Sequence, residues 1–546
     1  MYLRGSMNGK KFIQWLIPIL IMLVIALGFI YRKSLFNQTR DKIYALIFAD
    51  KDLVIQGETT AIQNKEFVKD YFDKFGYESF WTDTNSHSGY RQMLLSMLAH
   101  ADSLGLDPKD YHQQYIAKYD SVVRLSNYPI EKFEAENELV FTDAAITFLY
   151  HVAYGKEIPV AYNGVDYNID STKILNVFHD LILQRDWRKA LAQLEPKISQ
   201  YNLLKANLNA TKFFLSNHPG IDTLLVRNDK KGLQVASLKL QFYGHLGQQN
   251  PDDTAISNEL SLAVKNFQKL VGIDTSGQLD KSTIAALNFP LEKRVEQIKE
   301  SLNYWRWTGR VKEEEFILVN LPAARLQIVN RDSTHDMNMR VIVGKTGTQT
   351  PQFTSYVTSV ITYPYWHVPY SIATKEMLPK IKRNPGYLAA NELELLNNKG
   401  KVLNPYKINW SRVSPKNFKY KIRQSTGCDN SLGVLKFDLN SPFSIYLHDT
   451  NRRDLFKNKD RFMSHGCVRV EKPMELAHYL LDEGLDSTTT AKLNQCLKDE
   501  KPTTFKLSKK TPVLILYMTA DVNENGMLLF YKDIYNKETT TTKKAA

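Results

Sequence analysis

The sequence predicts a multidomain α+β protein with an N-terminal transmembrane helix, a helical domain, a small three-helix domain, and a β-rich domain carrying a helical insertion. Three observations predict it. Residues 12–31 form a single apolar run in which Gln14 is the one strongly polar side chain, long enough to span a bilayer. Apolar positions recur three and four apart through the N-terminal half, and β alternation replaces that spacing from Glu315 onward. A chain of 546 residues also exceeds one ordinary core; at roughly 100 to 200 residues per domain it needs about three or four.

The apolar run is read as a retained anchor, with residues 1–33 as a cytoplasmic tip plus span. A cleaved signal peptide would have a shorter apolar core and a small-x-small site, whereas this run ends in Phe29-Ile30-Tyr31-Arg32-Lys33. Basic residues flank it on both sides (Arg4, Lys10 and Lys11; Arg32 and Lys33), so charge bias does not set the orientation and function must.

Residues 34–230 follow as a helical domain, exemplified by Tyr90-Arg91-Gln92-Met93-Leu94-Leu95-Ser96-Met97-Leu98 and cut by turn signals such as Gly105-Leu106-Asp107-Pro108. His100, His112 and His151 there read as packed or surface histidines. Residues 231–295 contain Leu240-Gln241, Phe267-Gln268, a turn at Gly277, and Thr283-Ile284-Ala285-Ala286-Leu287. This pattern resembles the small three-helix peptidoglycan-binding domain, with Phe267 and Leu287 as core knobs and the Gly277 turn lining a shallow groove. A linker helix over 296–310 leads into a β-rich domain over 311–540, followed by a tail at 541–546. Strands are expected at 316–321, 326–330, 433–437 and 444–447, with a closing hairpin of 512–519 and 527–532. Between them, about 369–424 reads as a helical, basic, mobile lid.

The net charge of +13 concentrates there: between Lys375 and Arg423 twelve basic residues face three acidic ones, a local charge of +9. That is either a solvated surface or a field for a polyanionic substrate. No nucleic-acid module accompanies it. The three cysteines, Cys428, Cys467 and Cys496, are too few for a disulfide framework and lack the C-x-x-C spacing of structural zinc sites. With Cys467 kept free, Cys428 and Cys496 are open either to pairing or to burial as thiols.

A cysteine attacks a carbonyl as thiolate, so it needs an imidazole to take its proton and backbone donors for the oxyanion. Cys467 has candidates for all of these. His448 ends the apolar strand Ile445-Tyr446-Leu447, and Ser464, His465 and Gly466 precede the cysteine. Gly466 permits a tight turn that could bring its own N–H and that of Cys467 onto one oxyanion.

His448 and, fifteen residues later, Ser464-His465-Gly466-Cys467-Val468-Arg469 resemble the active-site signature of L,D-transpeptidases. Further motifs agree: Tyr446-Leu447-His448-Asp449-Thr450, Leu432-Gly433-x-x-Lys436-Phe437, Pro364-Tyr365-Trp366-His367-Val368-Pro369 and Thr519-Ala520. Together they resemble the large, membrane-anchored branch with a scaffold domain, a peptidoglycan-binding domain and a capping subdomain. The chain departs from that branch at Ser425-Thr426-Gly427-Cys428, where Pro-Gly is usual, and at His367, where Asn is usual. The resemblance implies Cys467 as nucleophile and His448 as base, with a backbone carbonyl orienting the imidazole. His465 and Gly466 would shape the oxyanion pocket, Arg469 would bind a substrate carboxylate or brace the loop, and Tyr446, Trp366 and Asp449 would contact substrate. It further implies release of D-alanine from a tetrapeptide stem, a 3,3 cross-link in peptidoglycan, no metal or cofactor, and acylation by carbapenems. Cell-wall synthesis proteins are expected as partners, and the expected location is single-pass in the inner membrane with the catalytic part in the periplasm. The same residues would serve an L,D-carboxypeptidase, and a non-catalytic peptidoglycan-binding scaffold is the alternative outside enzymology.

Overall fold

A computed structural model describes residues 22–24, 26, 41–47, 53–55, 58–76, 81, 88–118, 130–223, 225, 230–247, 258–330, 337–482 and 487–537. Among them no helix is long and apolar enough to cross a membrane. The expected span at 12–31 lies outside the described residues apart from 22–24 and 26, which are helical and exposed.

The chain divides into two compact units: residues 1–156 with 169–196, and residues 157–168 with 197–546. The expected helical segment 34–230 is therefore shared between them, because 197–230 pack with the second unit. In the first unit α1 (Lys65–Phe75), α2 (Ser88–Ala99), α3 (Ile130–Tyr154), α4 (Ser171–Gln184) and α5 (Trp187–Leu194) enclose an apolar core that includes Tyr71, Trp81, Phe141, Phe148 and Phe178. Asp143 is buried in α3 and accepts the N–H groups of Gln63 and Asn64 at 3.1 and 2.9 Å, as a buried carboxylate must. His112 Nε2 lies 3.2 Å from the same carboxylate, while His151 Nδ1 pairs with the Tyr111 hydroxyl at 3.1 Å. Both are packing histidines.

The second unit begins with α6 (Ser199–Asn217), α7 (Lys230–Phe242), α8 (Asn258–Leu270), α9 (Lys281–Leu287) and α10 (Leu291–Trp307). Phe267 and Leu287 are fully buried between α7, α8 and α9. Buried Gln268 fastens the turn between α8 and α9: its Oε1 accepts the Gly277 N–H at 2.8 Å, and its Nε2 donates to Thr283 Oγ1 at 2.8 Å. Gly277 has a φ of +72°, which a side chain rarely adopts.

The main sheet is built from β1 (Glu315–Asn320), β2 (Arg325–Asn330), β3 (Asn338–Gly344), β4 (Phe353–Thr362), β8 (Leu435–Leu439), β9 (Leu447–His448), β11 (Val468–Val470) and β12 (Thr503–Leu516). Between these in the chain lie the lid strands β5 (Trp366–His367), β6 (Leu393–Leu396) and β7 (Lys421–Gln424), and the short β10 (Phe462–Ser464) beside β3. The order is β8-β9-β11-β3-β2-β1-β12-β4, and β4 also pairs with β8, so the sheet closes on itself. Both faces of β1 are covered: Ile317 and Val319 enter one core, while Phe316 and Leu318 enter another with Leu302 and Trp305 of α10. Period-two alternation sends neighbouring side chains to opposite cores.

Two expectations are corrected here. Residues 512–516 belong to β12 and pair with β1 and β4, so the terminal hairpin is β13 (Ala520–Val522) with β14 (Leu528–Phe530) instead. An apolar run buried on both faces cannot be told from a hairpin arm by its pattern alone. The insertion is also not simply helical. Its β6 and β7 join β5, just ahead of it in the chain, in the three-stranded antiparallel sheet β5-β7-β6 over a small core with Leu378, Ile381, Leu395, Trp410 and Ile422.

Candidate active site

Three adjacent strands carry the site. β9 runs parallel to β11 with His448 opposite Arg469, and antiparallel to β8 with His448 opposite Lys436. Cys467 immediately precedes β11, and the Val468 N–H donates to the Tyr446 carbonyl at 3.1 Å, which locks the cysteine beside Tyr446. Imidazole, thiol and two cations thus sit on sheet-supported backbone.

The Cys467 thiol donates to the Ser444 carbonyl at 3.5 Å. Burial pushes this thiol above its ordinary value, while the Tyr446 N–H, the Tyr446 hydroxyl, Lys436 and Arg469 all pull the other way. Burial wins, so the resting group is a neutral thiol surrounded by groups that favour its anion. The Tyr446 hydroxyl is itself held protonated by burial and by its bond to Cys467, with the Trp366 indole as a further hydrogen-bond partner. Its ring lies 5.6 Å from that of His448, and Lys436 Nζ sits 4.4 Å from its centre.

His448 Nδ1 donates to the Asp449 carbonyl at 2.5 Å. That bond assigns the ring proton to Nδ1 and leaves Nε2 as the acceptor. Burial first, then Arg469 and Lys436, depress the imidazole to about 3 against the opposing hydrogen bonds to the Asp449 and Leu432 carbonyls. A neutral imidazole is the form a general base needs.

The loop before Cys467 is pinned internally. Ser464 Oγ donates to the Cys467 carbonyl at 2.7 Å and accepts the Gly466 N–H at 3.1 Å. Gly466 has a φ of +120° and its carbonyl accepts from Thr350 Oγ1 at 2.8 Å. The expectation that the Gly466 N–H points at an oxyanion is therefore corrected, because Ser464 already holds it. His465 is also placed differently: its Nε2 lies 2.7 Å from Glu376 Oε1, on the lid's π-turn Ala373–Met377.

Asp449 also departs from its expected role as a substrate contact. Its buried carboxylate accepts the Val434 N–H at 3.0 Å and pairs with Arg453 at 2.8 Å, so it braces the β8 approach and does not face substrate. Gly433 leaves room for it: a Cβ there would stand 2.4 Å from Asp449 Oδ2. The Arg469 Nε is buried with no hydrogen-bond partner among the described residues, and the guanidinium interacts favourably with a Cys467 thiolate. Cys428 and Cys496 are both free, the first exposed and the second buried, so they do not pair.

Lys436, Ser444 and Glu376 were not singled out from the sequence. Lys436 stood inside a quoted motif, and strand register is what brings it to His448. Glu376 carried a weak signal as one of three acids in a strongly basic segment. Ser444 acts through its backbone, which no residue pattern reveals.

Residues 314–515 match the L,D-transpeptidase catalytic domain, 66–208 match a scaffold domain, and 232–287 match a "Putative peptidoglycan binding domain". The chain thus carries an L,D-transpeptidase catalytic domain together with those two further domains. A Haemophilus influenzae (strain ATCC 51907 / DSM 11121 / KW20 / Rd) protein named "Putative L,D-transpeptidase" is 36% identical over 294 residues, which cover 53% of this chain and 58% of that one. The chain thus spans under two thirds of that relative's length. Two solved structures are distantly similar: the Ldtfm-avibactam carbamoyl enzyme, at 12% identity over 42% of this chain and 63% of that one with a TM-score of 0.18, and an L,D-transpeptidase (Yku) from Stackebrandtia nassauensis, at 15% identity over 52% and 90% with a TM-score of 0.20.

Proposed function

We propose that this protein is a cysteine-dependent L,D-transpeptidase that forms 3,3 cross-links in peptidoglycan. The observation that carries the reading is the surroundings of Cys467 Sγ, with two donors from Tyr446 and two nearby cations, beside a neutral His448 on the adjoining strand. Those groups favour a thiolate only once its proton is removed, which suits a nucleophile generated during reaction.

In the acylation step the Cys467 proton passes to His448 Nε2, after the thiol turns from the Ser444 carbonyl. Sulfur attacks the carbonyl carbon of the third stem residue. The bond to the D-alanine nitrogen breaks, that nitrogen takes the proton back from His448, and a thioester remains. An amine of a second stem then attacks the thioester, gives its proton to His448, and the sulfur leaves and is reprotonated. The Cys467 N–H and the Tyr446 hydroxyl serve as donors to the developing oxyanion, and Arg469 receives a substrate carboxylate. Residues 12–31 anchor the protein in the inner membrane, with the catalytic part in the periplasm among cell-wall synthesis proteins.

The test is incubation of the protein and its Cys467→Ala variant with purified disaccharide-tetrapeptide, read by mass spectrometry. Dimers formed with loss of D-alanine, and absent from the variant, are expected. Tripeptide without dimers would mean trimming instead of cross-linking, and unchanged substrate with both proteins would leave a non-catalytic scaffold.

A further inference from the structure

The lid carries a feature that the proposed chemistry does not use. A cavity of about 570 Å³ opens on it, lined by the apolar Leu403, Ile408 and Tyr420 and by Lys399, Lys407 and Lys419. None of these residues belongs to the group around Cys467. Asn397 and Asn404 also line the cavity with their side-chain oxygens committed to turns: Asn397 Oδ1 accepts the Lys399 and Lys401 N–H groups at 2.9 Å, and Asn404 Oδ1 accepts the Tyr406 N–H at 2.9 Å. Their amide groups are left as donors. The lining therefore holds ammonium and amide donors and no carboxylate.

The excess charge is not neutralised within the lid. Of its three acids, Glu376 is held by His465, and Glu394 by Arg423 at 2.9 Å, which leaves Glu392. Lys399, Lys407 and Lys419 are exposed, and none forms an ion pair among the described residues. A pocket of this size, lined by three lysines and apolar side chains and by no carboxylate, suits a peptide-sized anion bearing methyl groups better than a lone inorganic ion.

We propose that this cavity is a second binding site that takes the carboxylate-bearing stem peptide of a peptidoglycan strand, apart from the stem acylated at Cys467. The identity of the ligand rests on peptidoglycan being the substrate. A strand held at the lid would raise the local concentration of acceptor stems without touching the reacting atoms.

The experiment uses the full chain carrying Cys467→Ala and a fluorescent disaccharide-tetrapeptide, followed by anisotropy. Two binding phases are expected in the parent. The Lys399→Gln/Lys407→Gln/Lys419→Gln variant should lose one, weakened about tenfold or more by the missing charge-assisted bonds, and the Lys→Arg triple variant should retain it. A probe whose carboxylates are converted to amides should lose the same phase. Equal binding by parent and Gln variant would overturn the proposal. So would tight binding of inorganic phosphate with no response to amidation, which would make the pocket a phosphate site. In chains that retain Cys467, carbapenem acylation should proceed equally with and without the Gln changes, which shows the variant folded. A wild-type chain that resists acylation would sink the reading of Cys467 as nucleophile and leave the binding result standing.

Discussion

At Cys467 burial lifts the thiol, while Tyr446, Lys436 and Arg469 lower it without overcoming burial. Thiolate is the reactive form, so its population and the rate of labelling should climb about tenfold per pH unit from pH 6 to 8. Iodoacetamide or carbapenem labelling followed by mass spectrometry checks this; a rate already flat at pH 6 would mean a preformed thiolate–imidazolium pair. His448 gives a separate prediction through stability. Its folded value is about 3 against an ordinary 6.5, so between those limits the unfolded chain binds the proton that the folded chain refuses. Stability from this group is thus complete above pH 6.5 and lost as pH falls toward 3. His448→Gln should flatten the fall in thermal midpoint across that window, and an unchanged slope would place the acid sensitivity elsewhere.

Among elements, the lid's π-turn meets the loop before Cys467 through Glu376 and His465. The loop is already held by Ser464 and Thr350, so this bond should position the lid more than the thiol. Glu376→Ala is expected to raise KM for disaccharide-tetrapeptide severalfold with kcat little changed, and Glu376→Gln, which can still accept from His465, should restore most of it. A fall in kcat alone would instead tie Glu376 to the chemistry. Helix and strand types in these regions were readable from spacing. The sheet inside the lid was not, because its strands are two to four residues long and the segment is crowded with lysine, proline and asparagine.

On the scale of the whole molecule, one apolar cluster within the second unit runs from Phe267 and Leu287 through α10 to the outward residues of β1 and β12. Tyr243, just past α7, meets Phe530 of β14 with ring centres 5.9 Å apart, and Arg294 of α10 lies 4.6 Å from the same Phe530 ring. The peptidoglycan-binding helices and the catalytic sheet should therefore melt together. Phe267→Ala, at about 3 to 5 kcal/mol, is expected to lower the temperature at which Cys467 loses carbapenem labelling. Unchanged labelling with a lost helical transition would show the two parts unfolding separately.

The sequence by itself determined the kinds of domain, their order and the chemistry-bearing motif. Those depend on local spacing and on residue types, such as Ser464-His465-Gly466-Cys467, that only certain chemistry requires. Tertiary structure decided which groups meet. Parallel pairing of β9 with β11 set His448 opposite Arg469, and antiparallel pairing with β8 set it opposite Lys436, across separations in the chain that no pattern encodes. It also turned Asp449 inward to Val434 and Arg453, gave the Gly466 N–H to Ser464, and sent His465 to Glu376. A side chain's role follows from its partners, and hydrogen bonds between distant segments exist only once the fold has brought them together.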